Sequence, residues 1–265
     1  MSIDLFISYF FYKLISIDFK KDVAFLSVIS LLVFPTSFYF GAIYTESLFL
    51  LLAASSIYLV RKSNFFWAGI LISLATATRV FGVLLIPLYL IEAFKSGKKL
   101  NLLWVLITPL GILAYMYFLK IEYGNAFYFL TSQSIFGAGR SSTEIILLPQ
   151  VIYRYIKIFL TTKVFSLSFL NAFFEFSFTL IPLTFLIVFF KKMRLSYWVF
   201  SIGALLLPTF TGTFSSMPRY VLISIFLLFP HLIRQYKKYL RPAILFSAML
   251  GILLEMLFIR GYWVA

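Results

Sequence analysis

Apolar runs of roughly membrane-spanning length recur from one end of the chain to the other, divided by short polar or basic breaks. A membrane helix needs about 20 predominantly apolar residues, fewer where it is short or re-entrant. On that rule the pattern predicts helices near 3–17, 23–41, 46–60, 65–78, 80–94, 101–119, 168–190, 195–210, 218–233 and 242–260. The predicted fold class is all-α: one polytopic transmembrane domain, 1–265, of about ten spans. The opening MSIDLFISYFFYKLISI has neither a basic n-region nor a small-residue cleavage site, so it reads as a span rather than a signal peptide. Only two connections have substance, 120–167 and TGTFSSMPR at 211–219. Within the first, PQVIYRYIKIFL (149–160) sets Val151, Ile152, Tyr155, Ile156 and Phe159 at spacings of three and four, with Arg154 and Lys157 on another face. That spacing predicts an amphipathic helix lying in the outer interface.

Composition agrees: 62% of residues are hydrophobic and only 12% charged, so a water-soluble domain is excluded. The net charge of +14 raises the question of nucleic acid, but no basic patch stands free of the apolar runs. Its distribution fits membrane topology instead. The connections 18–22, 61–64, 95–100, 191–194 and 234–241 hold 14 of the 23 Lys and Arg residues. Eight more are spread thinly over the other connections, and Lys13 lies inside the first run. Short cytoplasmic loops are Lys/Arg-rich, so the five basic connections are expected in the cytoplasm. Region 120–167 and the turns at 42–45, 79 and 211–217 then face outward. The segment 65–94 must cross twice, as two helices of about 14 residues, too short for a ~30 Å hydrocarbon core. Arg79, in the turn TATRVFG, is thereby recessed on the outer side.

Candidate chemistry gathers on that side. Tyr44, Thr45, Glu46, Ser47, Thr78, Arg79, Gln133, Arg140, Ser215, Arg219 and Tyr220 come from four separate connections. A recessed cluster with one carboxylate and three arginines suits an anionic group, because the guanidinium fork donates parallel hydrogen bonds and keeps its charge. Plainer roles exist for the same residues. Glu46 fits the first turn of a helix behind an N-capping Thr45, a role compatible with the site. Arg79 could snorkel to the interface and Arg219 could anchor it. Glu255, inside the last run, is a further functional candidate. The chain has no cysteine and one histidine, His231, so disulfides, thiol chemistry and a His cluster are excluded, and no metal or cofactor is implied. There is no phosphate-cradling Gly-rich loop ending in Lys, no HExxH, no GxSxG and no DxD.

The stretches LVFPTSFYFGAIYTESLFLLL (32–52) and FFWAGILISLATATRVFGVLLIPL (65–88), then GNAFYFLTSQSIFGAGR (124–140) and FSSMPRYVL (214–222), occur in an order that resembles the GPI second-mannose transferase (PIG-V-like) group of GT-C glycosyltransferases. The likeness covers most of 23–233. It implies transfer of a sugar, mannose in that family, from a polyprenyl- or dolichyl-phosphate donor to an outward-facing acceptor. It implies that Tyr44, Glu46, Arg79, Gln133, Arg140 and Arg219 line the site, with Tyr220 beside them in the closing PRY motif. The family's acidic Trp-Asp motif, in its first outer loop, has no counterpart here. The resemblance therefore implies that the first span and first outer loop are missing, that this chain alone is inactive or nearly so, and that Glu46 is a reserve candidate for the base. The alternative is a non-enzymatic lipid-phosphate carrier or flippase that uses the same arginines. High Ile, Phe and Lys usage points to an AT-rich prokaryotic genome and its cell membrane, or to the endoplasmic reticulum if the source is eukaryotic.

Overall fold

A computed structural model describes residues 3–42 and 44–262. The described chain is all-helical, without a strand. The first helices are α1 (Ile3–Ile15), α2 (Lys21–Leu32), α3 (Glu46–Arg61), α4 (Phe65–Thr78) and α5 (Leu85–Lys95). After them come α6 (Lys99–Leu103), α7 (Leu110–Tyr123), the single turn α8 (Tyr128–Thr131) and α9 (Leu148–Thr161). The chain closes with α10 (Leu167–Val188), α11 (Leu195–Leu206), α12 (Met217–Ile225), α13 (Phe229–Gln235) and α14 (Leu240–Ile259).

The expectation of about ten spans is corrected by helix length. Among the described residues three helical stretches are long and apolar enough to cross a membrane: Lys99–Tyr123, Leu167–Val188 and Lys237–Ile259. A fourth is added if α12 and α13, bent by 76° against one another, count as one broken span. The other apolar runs form helices of 11 to 16 residues, α1 to α5 and α11. A helix of that length spans only about 16–24 Å. Proline explains several of the shortenings. Pro35 lies three residues past the end of α2, Pro208 is the second residue of the 3-10 turn that follows α11, and Pro230 is the second residue of α13, after the bend. A proline lacks the N–H that would continue the ladder, and its ring clashes with the preceding turn. The helix expected at 149–160 is present as α9, with Val151 and Tyr155 buried and Ile156 exposed.

At the centre lies α3, packed against α1 on one side and α4 on the other. Its middle, Ala53-Ala54-Ser55-Ser56-Ile57, is wholly buried. Small residues allow close approach, and the hydroxyls of Ser55 and Ser56 return to carbonyls of their own helix, Leu51 at 2.6 Å and Ala53 at 2.9 Å. The α4–α7 contact is closer still: a Cβ on Gly111 would fall 1.8 Å from the Ser73 carbonyl oxygen, so only glycine fits. The span-length helices, by contrast, bury little of themselves; in α14 only 6% of the apolar window is covered. Such apolar, uncovered faces suit contact with lipid.

Direct hydrogen bonds join four of the five Lys/Arg-rich connections at one end of the bundle, together with the end of α5 that leads into the fifth. Asp18 takes two bonds from Arg61, at 2.5 and 2.8 Å, and Arg61 also donates to the Tyr197 hydroxyl at 2.7 Å. Glu92, at the end of α5, accepts from Arg194 at 2.9 Å and Ser196 at 2.5 Å. Lys192 donates to Gln235 at 2.9 Å. At the other end of α3, about 22 Å away by helical rise, stands Glu46.

Candidate functional site

The turn between α4 and α5 positions the first arginine. Arg79 ends α4 in an extended conformation, φ −152° and ψ 144°, and the chain then doubles back through a 3-10 turn, Val80–Leu84. Gly82 makes that return possible. A Cβ there would sit 2.5 Å from the Thr76 amide nitrogen and 2.6 Å from the Ala75 carbonyl, both rigid backbone. Arg79 is thereby driven inward, with its side chain only 9% exposed.

Its anion is supplied by the chain itself. Glu46, 2% exposed at the first position of α3, receives Arg79 Nη1 at 2.5 Å and a hydrogen bond from Arg219 Nε, both on Oε1. The Arg79 contact is ionic without a hydrogen bond in line, and Glu46 Oε2 has no hydrogen-bond partner. Thr45 precedes the helix, but its side chain makes no capping bond, so the N-cap expected of it is not formed. Aromatic rings complete the setting. Tyr220 lies 5.5 Å from the Arg79 guanidinium, and Tyr44 stacks 4.2 Å from that of Arg219. Cations so placed gain from the ring quadrupole.

Arg140 arrives from the long outer connection and donates from Nη2 to Ser216 Oγ at 3.0 Å and to the Ser215 carbonyl at 3.5 Å. Two groups overlooked in the sequence hold this part together. Arg154, on α9, donates to three carbonyls: Gly139 at 3.1 Å, Gly212 at 3.0 Å and Ala138 at 3.0 Å. Next to it, the Tyr155 hydroxyl donates to Glu175 on α10, accepts from the Phe214 amide at 3.1 Å and lies 3.2 Å from Thr213 Oγ1. The segment 212–216 leading into α12 is therefore fixed from two sides. Glu175 could have been found: an acid inside the apolar run 168–190 is a functional signal by default. Arg154 and Tyr155 were hidden by their fit to an amphipathic pattern, which accounts for a helical face without saying what the face meets.

One cavity of about 450 Å³ collects the result. Arg79, Gln133, Arg140, Arg219 and Tyr220 all line it, with Thr45, Thr78, Tyr115 and Ser215. The expected residues thus converge, with two differences. Glu46 does not line the cavity but stands behind the two guanidiniums, and Tyr44, 43% exposed, covers Arg219 without being among the lining residues. Gln133 lines the wall while its Nε2 is engaged with the Phe129 carbonyl at 2.7 Å, leaving the amide oxygen as its free acceptor. Glu255 lies apart, beside Asp4 in a different cavity. No acidic residue is among those lining the arginine cavity. Three cations against one carboxylate leave the site positive, suited to an anion. Among the described residues no group of three or more His, Cys, Asp or Glu could hold a metal ion.

The chain matches no family model, no curated protein and no solved structure. Fold and composition define a class: an all-α protein with helices able to span a membrane and an arginine-lined cavity between its helices.

Proposed function

We propose that this chain is a membrane glycosyltransferase of GT-C type, moving a sugar, by resemblance mannose, from a polyprenyl- or dolichyl-phosphate donor to an acceptor on the outer face of a prokaryotic cell membrane. The observation that carries the reading is the convergence of Arg79, Arg140 and Arg219, from three distant parts of the chain, on one cavity. That cavity sits at the end of α3 opposite the basic connections. In such a transfer the lipid phosphate departs as an anion, and preorganised guanidiniums lower the cost of its developing charge. The Arg79 and Arg219 side chains are aimed before any ligand arrives, because Glu46 holds both. Gln133 and Tyr220 supply hydrogen-bonding groups at the wall.

One observation favours the rival reading, a lipid-phosphate carrier without transfer chemistry. The acceptor hydroxyl needs a base, and the one carboxylate of the cluster is neutralised by two arginines and set behind them. In the transferase reading Glu46 is then an orienting residue, with its unpartnered Oε2 as the one atom that could still accept a proton or a hydrogen bond.

The test is reconstitution of the purified chain in liposomes holding polyprenyl-phosphate mannose labelled in the sugar, with candidate acceptors added outside. Because the family's Trp-Asp motif has no counterpart here, only weak labelling of the acceptor is expected, reduced further in Arg79→Ala and Arg140→Ala. Donor binding or transbilayer movement without sugar transfer would replace the transferase by the carrier.

A further inference from the structure

At the basic end of the bundle a second opening, about 500 Å³, lies between the start of α2 and the α13–α14 connection, lined by Lys20, Asp22, Arg234 and Lys237 over an apolar floor that includes Ile233. Lys20, Arg234 and Lys237 are exposed and make no side-chain hydrogen bond or ion pair among the described residues. Asp18, also on the wall, is neutralised by Arg61. Three free cations therefore face Asp22 alone, and the opening is positive.

Ile233 is shared with a neighbouring groove of about 470 Å³, almost wholly apolar, between α2, α10, α13 and α14. Phe34, Phe185, Phe229 and Ile244 lie along it. One face of α2 runs from the first opening to the second: Val23 and Leu26 line the charged one, Ser30 and Val33 the apolar one. The spacing of three and four keeps these four on one side of the helix, and from Val23 to Val33 the strip is about 15 Å long. Helix α14, the least covered of the span-length helices, forms one wall of the groove, which places the groove beside the apolar surface that suits lipid.

A cationic mouth that adjoins an apolar groove along one face of α2, with Ile233 lining both, matches an amphiphile with an anionic head. We propose that this is a binding site for an anionic glycerophospholipid of the basic-side leaflet, its phosphate at Lys20, Arg234 and Lys237 and one acyl chain along α2 in the groove. Charge complementarity selects this occupant over a zwitterionic lipid, and the shared Ile233 selects it over a free phosphate, which would leave the groove unused. The site is separate from the arginine cavity and does not depend on the function proposed for it.

Native mass spectrometry of the detergent-purified full chain, titrated with phosphatidylglycerol and phosphatidylcholine of matched acyl chains, tests the assignment. Phosphatidylglycerol is expected to be retained at least roughly tenfold more tightly, since each surface Lys or Arg contributes an attraction of order fivefold. The exposed triple variant Lys20→Gln/Arg234→Gln/Lys237→Gln should lose that preference and keep its unfolding temperature. Ala243→Trp, which fills the groove, should weaken retention of phosphatidylglycerol with the three cations still in place. Equal retention of the two lipids, an unchanged preference in the triple variant, or displacement of phosphatidylglycerol by inorganic phosphate at the same concentration would overturn the proposal. So would a lipid-free dimer formed through this face.

Discussion

Glu46 and Arg219 stand 173 residues apart in sequence and share a buried ion pair. Arg79 adds a second cation to the same carboxylate oxygen. The three side chains tie the start of α3, the α4–α5 turn and the start of α12 into one unit, so the pair is both a piece of the fold and the back wall of the cavity. Removing one partner of a buried pair leaves the other charge uncompensated, which is the larger penalty. Here the two sides are unequal: losing Glu46 strands two arginines, whereas losing one arginine leaves a complete pair.

Glu46→Gln is accordingly expected to be the most damaging single change at the site, costing about 3–5 kcal/mol of stability. Thermal unfolding in detergent reads it directly. The double variant Glu46→Gln/Arg219→Gln should lose less than the two single changes added together, because residues in one charge network couple. Strict additivity would mean that the pair contributes no coupling.

Arg79→Ala should leave the fold near its normal stability, with Glu46 still paired to Arg219, and act on ligand instead. A desolvated charge contact to phosphate is worth on the order of 2–5 kcal/mol, so binding of a polyprenyl-phosphate or its sugar ester should fall at least roughly tenfold. Arg79→Lys should recover part of that, since an ammonium cannot make the forked contact. Unchanged donor affinity in Arg79→Ala would reduce the residue to a structural partner of Glu46.

How much of this was legible in sequence follows from what kind of signal each feature leaves. The helical class and the grouping of the five basic connections were legible, because apolar runs and Lys/Arg positions are direct records of the bilayer's demands. Helix length was not: hydropathy counts apolar residues, and it did not register the breaks before Pro35 and at the α12–α13 bend. The convergence of Arg79, Arg140 and Arg219 was anticipated from topology, which assigns side and depth. Their partner was not. A recessed arginine announces that an anion is near, but only packing tells whether that anion is a ligand or, as here, Glu46. Tyr155 and Glu175 escaped because each lay within an element whose pattern was already accounted for.

Gly82→Ala should impair the site without touching it. The added Cβ meets the backbone of Ala75 and Thr76, which cannot yield as a flexible side chain would. Overpacking of this sort typically costs 1–3 kcal/mol, and relief requires the turn that carries Arg79 to move. Donor affinity is expected to drop along with stability. Gly41→Ala, where the nearest atom is the Phe38 carbonyl oxygen at an ordinary 3.6 Å, serves as the tolerant comparison. Equal behaviour of the two variants would show that the close α4–turn contact is not required.

Asp18 gives the basic end a pH dependence. Burial pushes its carboxyl up, but the hydrogen bonds and charge of Arg61, with Arg194 beyond, hold it on balance below the usual carboxylate range. A carboxyl depressed in the folded state contributes stability that is complete above its unfolded pKa of about 3.9 and is lost as pH falls through the folded value. Unfolding temperatures of the native chain should therefore decline below about pH 4, with a smaller decline in Asp18→Asn. Parallel curves for the two would exclude Asp18 as a contributor.

The two ends of the bundle define the last expectation. Asp18, Arg61, Glu92, Arg194, Lys192 and Gln235 are linked by direct contacts at one end, while Arg140, Arg79, Arg219 and Glu46 meet near the start of α3. Positively charged connections are retained in the cytoplasm, so the first end should face it and region 120–167 should face out. The chain has no cysteine, and single cysteines can be placed without altering anything else. Lys98 and Thr143 are suitable, being exposed and in connections at opposite ends. In intact cells a membrane-impermeant maleimide should label Thr143→Cys at once and Lys98→Cys only after the membrane is opened. Labelling of both in intact cells, or of neither, would break the topology, and with it the placement of the arginine cavity on the outer face.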